Sequence, residues 1–418
     1  MIKNIFTRAT VAARLETGPL GSQLDALATT LQNQRYATST ISVYLREAQA
    51  FGCWANERHR LGELSELTLQ HYLDDLSTQP GSATQNRRRK ITTAVHLLLN
   101  HLRQAGVVAP QPTQSLPLTE MQQWLTRYEE HLGKVQGLAS TTRQRYLPFA
   151  SRLLNTINQG GLLEWSSLNA DKVIEFVRAD ASRRKGVGAH TTSTAIRSFL
   201  RFLVSQGQLS AGLETAIPNI PRWSQAALPQ RLSEAEIDRL LRVCADGTAI
   251  GMRNHAILML LSRLGLRAKE IAGMQLDDLD WVNGSLLIRS TKTHSERILP
   301  MAQEVGDSMV SYLRYGRPAT PHRRIFLDHN APFRPLQTAS AITHIVQRLL
   351  KRADIERQTS GAHLFRHTVA SQMVNRGASF KQVADVLGHQ SLQTTGIYAK
   401  LDLAALSETA LPWPGGAQ

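Results

Sequence analysis

The amino-acid sequence predicts a mainly α-helical protein that contains one small antiparallel β-sheet. Through most of the 418 residues, apolar side chains recur at intervals of three and four, the pattern of amphipathic helices. The strongest β signal lies at 279–289, where two short runs, 279–282 and 285–289, flank Asn283-Gly284, a dipeptide typical of tight hairpin turns. Residues 297–300 would add a third strand. A chain of this length has room for two or three domains.

The balance of charge favours a polyanionic partner. The formal net charge is +15, which suits nucleic acid first and an anionic membrane second. The longest apolar run, 256–266, contains Arg263 and falls short of the ~20 residues of a spanning helix, so no membrane segment is expected. A signal-peptide core is also lacking at the N-terminus. Cys53 and Cys244 are the only two cysteines, and this low content fits a reducing cytoplasm.

A first helical domain is predicted over residues 1–112. Residues 1 to about 20 are expected to be a loose leader, because no sustained helical period begins before Leu24. Four segments then carry the helical pattern, at 24–36, 39–59, 67–76 and 87–106. Gly106 and the proline-containing residues 107–112 end the domain.

A second helical domain, predicted over 113–222, repeats the helix order of the first. Its helical segments are 118–132, 140–157, 169–182 and 192–209. Each domain carries a basic cluster before its last helix, and we interpret both clusters as DNA-binding. These clusters are Arg87, Arg88, Arg89 and Lys90 in the first domain and Arg183, Arg184 and Lys185 in the second. Internal duplication is favoured, although four amphipathic helices of similar length also resemble one another by necessity.

A third domain is predicted over residues 230–418. Prolines at 218, 221 and 229 forbid a continuous helix before it and mark a linker. Ser233 and Glu236 have the spacing of a capping box that opens the first helix of this domain. Further helices are predicted at 253–263, in the centre of the domain, and at 340–353.

Residues 361–401 carry the side chains that indicate chemistry. His363 and Arg366 are three apart, so a helix would place them on one face, where they could hold a phosphate. Tyr398 is a candidate nucleophile, which needs nearby positive charge because a free phenol titrates near pH ~10. A tyrosine on a helix is more often a core residue. His363 and His367 also have the spacing of a zinc pair, but the residue after His363 is Leu364, where a metalloprotease motif has Glu.

Three motifs, taken in order along the chain, resemble those of the tyrosine recombinase (phage integrase) family. They are Leu264–Ile271, the hairpin segment Ser290–Pro300, and the series His-x-x-Arg-His, Leu-Gly-His and Thr-Thr-x-x-Tyr between 363 and 398. The resemblance implies two helical SAM-like DNA-binding domains followed by a tyrosine-recombinase catalytic domain. The catalytic residues that it implies are Arg267, Lys292, His363, Arg366, His389 and Tyr398.

The resemblance implies DNA strand transfer through a covalent 3′-phosphotyrosyl intermediate. Arg267 and Arg366 would clamp the scissile phosphate, and His389 would donate a further hydrogen bond to it. His363 would accept the proton of the Tyr398 nucleophile or assist the reverse step. The general acid for the leaving oxygen would be Lys292, and Glu270 would orient its neighbours. No metal, ATP or other cofactor is expected. In the second domain, Arg197 lies in a segment that resembles the family's core-binding helix and is the best candidate there for a phosphate contact; it could instead be a solvated helix residue.

The expected partners are double-stranded DNA with specific recombination sites and further copies of the chain, as a homotetramer on paired sites. An accessory recombinase or directionality factor is also conceivable, and no membrane partner is expected. The favoured role is integration, excision or transposition of a mobile element. The alternatives are a recombinase that resolves chromosome or plasmid dimers, a type IB topoisomerase-like enzyme, and a non-catalytic DNA-binding relative.

Overall fold

The structure is a computed structural model that describes most of the chain. The described residues are 1–58, 60–78, 84–109, 119–183, 187–218, 230–289, 296–357, 361–388 and 398, with the backbone alone for 78 and 187–189. Two compact units are present, one formed by 113–228 and the other by 1–112 together with 229–418. The second of these units contains separate hydrophobic clusters for its N-terminal and C-terminal parts. The prediction of a mainly helical chain with a small antiparallel sheet is confirmed.

Six helices form the N-terminal part of the chain. They are α1 (Ile2–Ile5), α2 (Ala9–Thr17), α3 (Gly21–Asn33), α4 (Thr38–Glu57), α5 (Glu66–Thr78) and α6 (Gln85–Gln104). The long helices α4 and α6 pack against each other, and α3 and α5 each pack against both of them to close the core. Apolar faces with helical spacing explain this arrangement, because each buries one stripe of leucine, isoleucine and valine side chains.

The expectation of a loose leader over residues 1 to 20 is wrong. Helices α1 and α2 occupy most of it, and Ile2, Phe6 and Leu15 are 0%, 7% and 2% exposed in the core that α3 and α4 form. The backbone N–H of Ile2 also donates to a carboxylate oxygen of Asp25, at 2.9 Å. Helices this short are marginal alone, so their stability comes from tertiary packing that a local pattern does not display.

Residues 113–228 contain a four-helix arrangement in the same order as α3 to α6. It consists of α7 (Glu120–Lys134), α8 (Ser140–Asn155), α9 (Ala170–Ser182) and α10 (Val187–Ser205), with a two-stranded ribbon of β1 (Asn158–Gln159) and β2 (Leu162–Leu163) after α8. The last helix of each set is followed by a glycine in the left-handed region, Gly106 at φ 69° and Gly207 at φ 71°. An aromatic core centred on Tyr128, Phe199 and Phe202 holds this second set together.

The C-terminal part is built on helix α12 (Ala249–Leu264), which is apolar on most faces and packs against α11 (Glu234–Cys244), α14 (Gln303–Ser311) and α16 (Ala362–Asn375). The predicted capping box at Ser233 and Glu236 is confirmed at the start of α11. Other elements are α13 (Ala268–Gly273), a π-helical segment (Tyr312–Gly316), α15 (Ala339–Arg352) and α17 (Phe380–Leu387). None of the helices in the described part of the chain combines the length and apolar character needed to cross a bilayer.

The three-stranded sheet has the antiparallel order β3 (Leu279–Asp280), β4 (Ser285–Arg289) and β5 (Glu296–Pro300). Leu286 pairs with both Leu279 and Leu299, so one face of β4 is buried. The first strand is shorter than the predicted 279–282, because the Asp280 carboxylate accepts hydrogen bonds from the backbone N–H groups of Val282 and Asn283 and turns the chain.

Candidate active site

The turn after α12 positions the first arginine of the site. Helix α12 ends at Gly265, whose φ of 60° is left-handed, and α13 begins directly after Arg267. A Cβ on Gly265 would lie 2.8 Å from Leu387 and 3.3 Å from Val369, so a larger residue would push α16 and α17 away. The short connection therefore presents Arg267 beside the end of α17.

Glu270 fixes two arginines in place. Its carboxylate accepts from the backbone N–H of Arg267 at 2.8 Å and from that residue's Nη1 at 3.0 Å, and it accepts both Nη atoms of Arg297 at 3.0 Å each. Burial opposes ionisation of Glu270, but the hydrogen bonds and charges of Arg297 and Arg267 prevail and hold its pKa below the usual range. Strand β5, which contains Arg297, is thereby tied to the start of α13.

The C-terminal carbonyls of α17 bind three guanidinium groups. Arg297 donates from Nε to the carbonyl of Val386 at 3.1 Å, Arg366 donates from Nη2 to Leu387 at 2.5 Å, and Arg267 donates from Nη2 to Gly388 at 2.8 Å. These carbonyls have no partner within the helix and lie at its negative end, which favours cations. One helix terminus thus gathers three positive charges.

Arg366 is the most deeply buried of the three, at 3% exposure. Its Nη1 donates to the carbonyl of Gly265 at 3.0 Å, so two backbone oxygens on different elements orient the guanidinium. Burial and the neighbouring charge of Arg267 lower the pKa of Arg366 to about 10, so it remains a cation at neutral pH. Among the described residues its donors meet carbonyl oxygens rather than a carboxylate, which leaves a net positive charge in the site.

Two histidines and a tyrosine lie next to Arg366. His363 is exposed, whereas His367, one turn further along α16, is half-buried and has its Nδ1 2.8 Å from the hydroxyl of Tyr398. The rings of His363 and His367 are 6.1 Å apart. Tyr398 is 1% exposed, so its oxygen is withdrawn from solvent.

Burial and charge set the protonation of this group. Burial raises the pKa of Tyr398 to about 12, and the charge of Arg366 only partly offsets it. Burial, followed by the charges of His363 and Arg366, lowers the pKa of His367 to about 4. Burial of part of the ring, followed by the charges of Arg366 and Arg267, also lowers the pKa of His363. At neutral pH the phenol is therefore protonated and shares this hydrogen bond with a neutral His367.

The structure brings together four of the six predicted catalytic residues, namely Arg267, His363, Arg366 and Tyr398. Lys292 lies outside the described residues, between β4 and β5, and His389 also lies outside them, directly after Gly388. The described residues contain no group of three or more His, Cys, Asp or Glu side chains arranged to hold a metal ion.

The predicted DNA contacts are placed less uniformly. Arg197 is half-buried and donates from Nη2 to the carbonyl of Ile217 at 3.1 Å. Part of its guanidinium therefore stabilises the helical domain itself. The sequence predicts either a phosphate contact or a solvated residue, and this hydrogen bond is not part of that prediction. In the first cluster, Arg87 lies 3.7 Å from Glu47 and Arg88 donates to the carbonyl of Leu73 at 3.3 Å. The exposed members are Arg87, Arg89, Lys90 and Arg183, while Arg184 and Lys185 lie outside the described residues. A DNA-binding role for these residues stays a prediction.

Sequence reasoning gave no role to two residues that the structure places in the site. Arg297 lies within the hairpin motif without a predicted role, and His367 is considered only as half of a zinc pair. The spacing of His363 and His367 did signal that both lie on one face of α16. Contacts of Arg297 with Glu270 and α17 join residues far apart in sequence, so no local motif contains them.

Two protein-family models match parts of the chain. Residues 230–404 match the model described as "Phage integrase family", and residues 125–207 match "Phage integrase, N-terminal SAM-like domain". A protein of Sinorhizobium fredii that carries the name integrase/recombinase y4rA is 34% identical to this chain, over 97% of this chain and 97% of the y4rA sequence. The chain belongs to the phage integrase family of tyrosine recombinases. The tyrosine recombinase XerD of Mycobacterium tuberculosis is 30% identical over 70% of this chain and 96% of its own.

Solved tyrosine recombinases share the fold. A structure of the XerH site-specific recombinase bound to a palindromic difH substrate has a TM-score of 0.54 and 17% identity, and covers 82% of this recombinase and 94% of that chain. The Tn1549 transposon integrase in complex with a circular intermediate DNA has a TM-score of 0.52 and 17% identity, and covers 69% and 99%. At this level of identity the likeness concerns the fold alone.

Proposed function

We propose that this tyrosine recombinase is a site-specific enzyme that cleaves and rejoins DNA strands through a covalent bond between Tyr398 and a DNA 3′ phosphate. The observation that carries the proposal is the cluster of three guanidinium groups on the end of α17, with Tyr398 and His363 next to it. Family membership and the DNA named in the XerH and Tn1549 integrase complexes support the same substrate.

The arginines suit a phosphodiester. A buried cation without a carboxylate partner is costly, and an arriving phosphate oxygen would supply the missing negative charge beside Arg366. Arg267 keeps 35% of its side chain exposed, so it can reach the other non-bridging oxygen. Donors that are fixed before the reaction stabilise the extra charge of a pentavalent phosphorus without reorganising during the step. His389 would add a hydrogen bond to the same phosphate.

Tyr398 has to leave its buried position before it reacts. In the described conformation His367 holds its hydroxyl away from solvent, while the exposed His363 lies at the mouth of the site near Arg267 and Arg366. We propose that His363 accepts the proton of the Tyr398 hydroxyl, and that His367 holds Tyr398 in its buried position before the reaction. The attacking oxygen forms a bond to phosphorus, the bond from phosphorus to the 5′ oxygen breaks, and the leaving oxygen takes a proton from Lys292. Attack by a partner strand's 5′ hydroxyl reverses these bond changes.

The covalent bond is tested with a nicked suicide substrate that carries the attachment site. Wild-type protein is expected to become joined to a 3′ phosphate, which is detected as a shifted band after denaturation. Tyr398→Phe should bind the same DNA without joining to it. Joining by the phenylalanine variant would show that another residue is the nucleophile.

The role of Lys292 has a separate test. Lys292→Ala should slow cleavage of an ordinary phosphodiester by roughly 10²–10⁴-fold, the usual loss for a general acid. A 5′-bridging phosphorothiolate has a better leaving group and should recover most of that rate. Equal slowing of both substrates would assign Lys292 another role.

For the biological role we favour integration, excision or transposition of a mobile element over resolution of chromosome or plasmid dimers. The similarity to the integrase/recombinases y4rA and y4rF extends over 97% and 100% of this chain, against 70% for XerD. Assembly as a homotetramer on paired sites, with or without an accessory factor, belongs to the same proposal. Sequencing of junctions formed in cells that carry a marked element distinguishes insertion at new loci from resolution of repeated sites.

A further inference from the structure

Helices α1, α2 and α4 surround a cleft with a volume of about 920 Å³. It lies in the N-terminal part of the chain, far in sequence from every residue assigned to catalysis. Helices α1 and α2 precede the four-helix arrangement that α7 to α10 repeat, so the cleft depends on an addition that has no counterpart among the described residues before α7. Pockets that bind small ligands commonly have volumes of about 300–1,000 Å³.

The rim of this N-terminal cleft is cationic. Arg8, Arg14 and Arg46 line it, all three are exposed, and the lining includes no aspartate or glutamate. Within the described part of the chain, none of the three guanidinium groups forms an ion pair with a carboxylate. Three cations that converge on one cavity without protein counter-charge favour an anionic ligand, and the fork of an arginine matches a phosphate well.

The floor of the N-terminal cleft is apolar and includes an aromatic ring. Phe6 is 7% exposed, and the guanidinium carbon of Arg46 lies 5.2 Å from the centre of its ring. A guanidinium plane backed by an aromatic ring is a surface on which a nucleobase stacks. The cleft thus joins a phosphate-binding rim to a base-binding surface.

Gln49 supplies a polar group inside the same cleft. The residue is 6% exposed, and its Nε2 donates to the carbonyl oxygen of Arg14 at 3.3 Å. Since a carbonyl oxygen only accepts, this contact fixes which end of the amide is the nitrogen. The remaining Oε1 is buried and has no hydrogen-bond partner among the described residues. An acceptor in this state favours a new donor, which a ligand N–H group supplies when the Gln49 side chain turns toward the cleft.

We infer that the N-terminal cleft binds a nucleoside phosphate. Its phosphate contacts the arginines at the rim, its base stacks at Arg46, and an amino or imino N–H of the base donates to Oε1 of Gln49. Either a free nucleotide or an unpaired nucleotide of a DNA strand has this chemistry. A paired duplex does not, because its bases are stacked inside the helix.

Cys53 provides a local reporter for the test. It lines the N-terminal cleft and is half-buried, whereas Cys244, the other cysteine, is 2% exposed and burial raises its pKa to about 12. A thiol reagent should therefore modify Cys53 first in the full-length protein. The rate of this modification is measured against increasing concentrations of deoxynucleoside monophosphates, a short unpaired oligonucleotide, a duplex of the same sequence, and inorganic phosphate.

The expected result is saturable protection of Cys53 by a mononucleotide and by the unpaired strand. Protection by the mononucleotide alone identifies a free nucleotide as the ligand, and much tighter protection by the strand identifies unpaired DNA. Arg8→Gln and Arg14→Gln should each weaken it by about tenfold, the effect of losing one charge-assisted hydrogen bond. Gln49→Met should weaken the protection of Cys53 by nucleotides but not the protection by inorganic phosphate. Arg242→Gln removes the same charge from an exposed position of α11, in the C-terminal part of the chain, and should leave protection unchanged.

Three results would overturn the inference. The first is no protection of Cys53 by either the mononucleotide or the strand, and the second is equal weakening of the protection by Arg242→Gln. The third is protection by an acidic peptide where nucleotides give none, which would assign the cleft to a protein ligand. The measurement involves no strand cleavage, so its outcome is independent of the role proposed for Tyr398.

Discussion

The three arginines of the candidate active site are held by protein oxygens, whereas no oxygen of the described residues holds the three side chains that line the N-terminal cleft. Arg267, Arg297 and Arg366 each donate to a carbonyl at the end of α17, and Glu270 clamps two of them. Arg8 and Arg14 project from a short helix and its cap and are exposed. The first set is oriented before any ligand arrives, and the second can adapt to one.

This difference matches two kinds of work. Stabilising a transition state requires donors at fixed positions, because reorganisation during the reaction lowers their benefit. Binding a ligand tolerates mobile donors, which lose side-chain entropy when they close on it. Substitutions of equal charge should therefore be severe in the first set and mild in the second.

The largest expected effect comes from Arg366→Lys. An ammonium cannot contact the carbonyls of both Gly265 and Leu387 and still present a planar fork to the phosphate. We expect single-turnover cleavage of a suicide substrate to fall by roughly 10²–10³-fold, the loss typical of one fixed donor to a transition state. The matched control, Arg14→Lys, should cleave at the wild-type rate. Equal rates for the two variants would remove the contrast between the sets.

Glu270→Gln tests the clamp through stability. Its loss leaves two arginines without their carboxylate, and we expect the free energy of unfolding to fall by on the order of 3 kcal/mol. The folded-state pKa of Glu270 is lowered, so its contribution is fully present above its unfolded pKa of about 4.3 and is lost as the pH falls through the folded value. Urea unfolding between neutral and acidic pH measures this. A variant with the same acid-induced loss as wild type would contradict the assignment.

His367→Phe should produce a smaller effect of opposite sign. Phenylalanine retains the packing of the ring but leaves the hydroxyl of Tyr398 buried without an acceptor, which costs about 1–3 kcal/mol. The withdrawn position is then less populated, and cleavage limited by release of Tyr398 should be about tenfold faster. The companion variant His363→Ala should cleave more slowly. Slower cleavage by His367→Phe as well would place His367 in the chemistry itself.

The smallest effect is expected from the basic cluster at the start of α6, which is largely exposed, like the arginines that line the N-terminal cleft. Arg87 and Arg88 already contact Glu47 and Leu73, so Arg89 and Lys90 are the members free to meet phosphates. Replacing both with alanine should reduce the slope of log K against log salt by about 1.8, at ~0.9 per phosphate contact. Cleavage of pre-bound substrate should be unchanged. An unaltered slope would favour an assembly role for this region.

Much of the fold was accessible from sequence because its signals are local. Apolar periodicity located the long helices, the capping box located the start of α11, and Asn283-Gly284 located the hairpin. The leader was missed because α1 and α2 are too short to show a period and depend on the core they join. The extent of β3 was missed because the side chain of Asp280 ends it.

The candidate site was predictable to a similar degree. Each sequence motif that contains Arg267, His363, Arg366 or Tyr398 is one continuous segment. Most of the groups that orient these side chains belong to other parts of the chain. The pairing of Gly265 with Arg366 spans a long stretch of chain, and the contact between His367 and Tyr398 depends on how α16 meets a residue beyond α17. Sequence patterns identify which groups are present, and tertiary contacts decide where each one points.

The three carbonyls that hold the arginines belong to consecutive residues, Val386, Leu387 and Gly388. A helix advances about 100° per residue, since it has ~3.6 residues per turn. One residue inserted or deleted within α17 would therefore rotate all three acceptors away from their guanidinium groups at once. Gly388 adds a second constraint, because a Cβ there would lie 2.7 Å from Nη1 of Arg297. For protein engineering, α17 is consequently a segment of fixed length and phase: loops around it can be redesigned, but its last turn has to be transplanted whole.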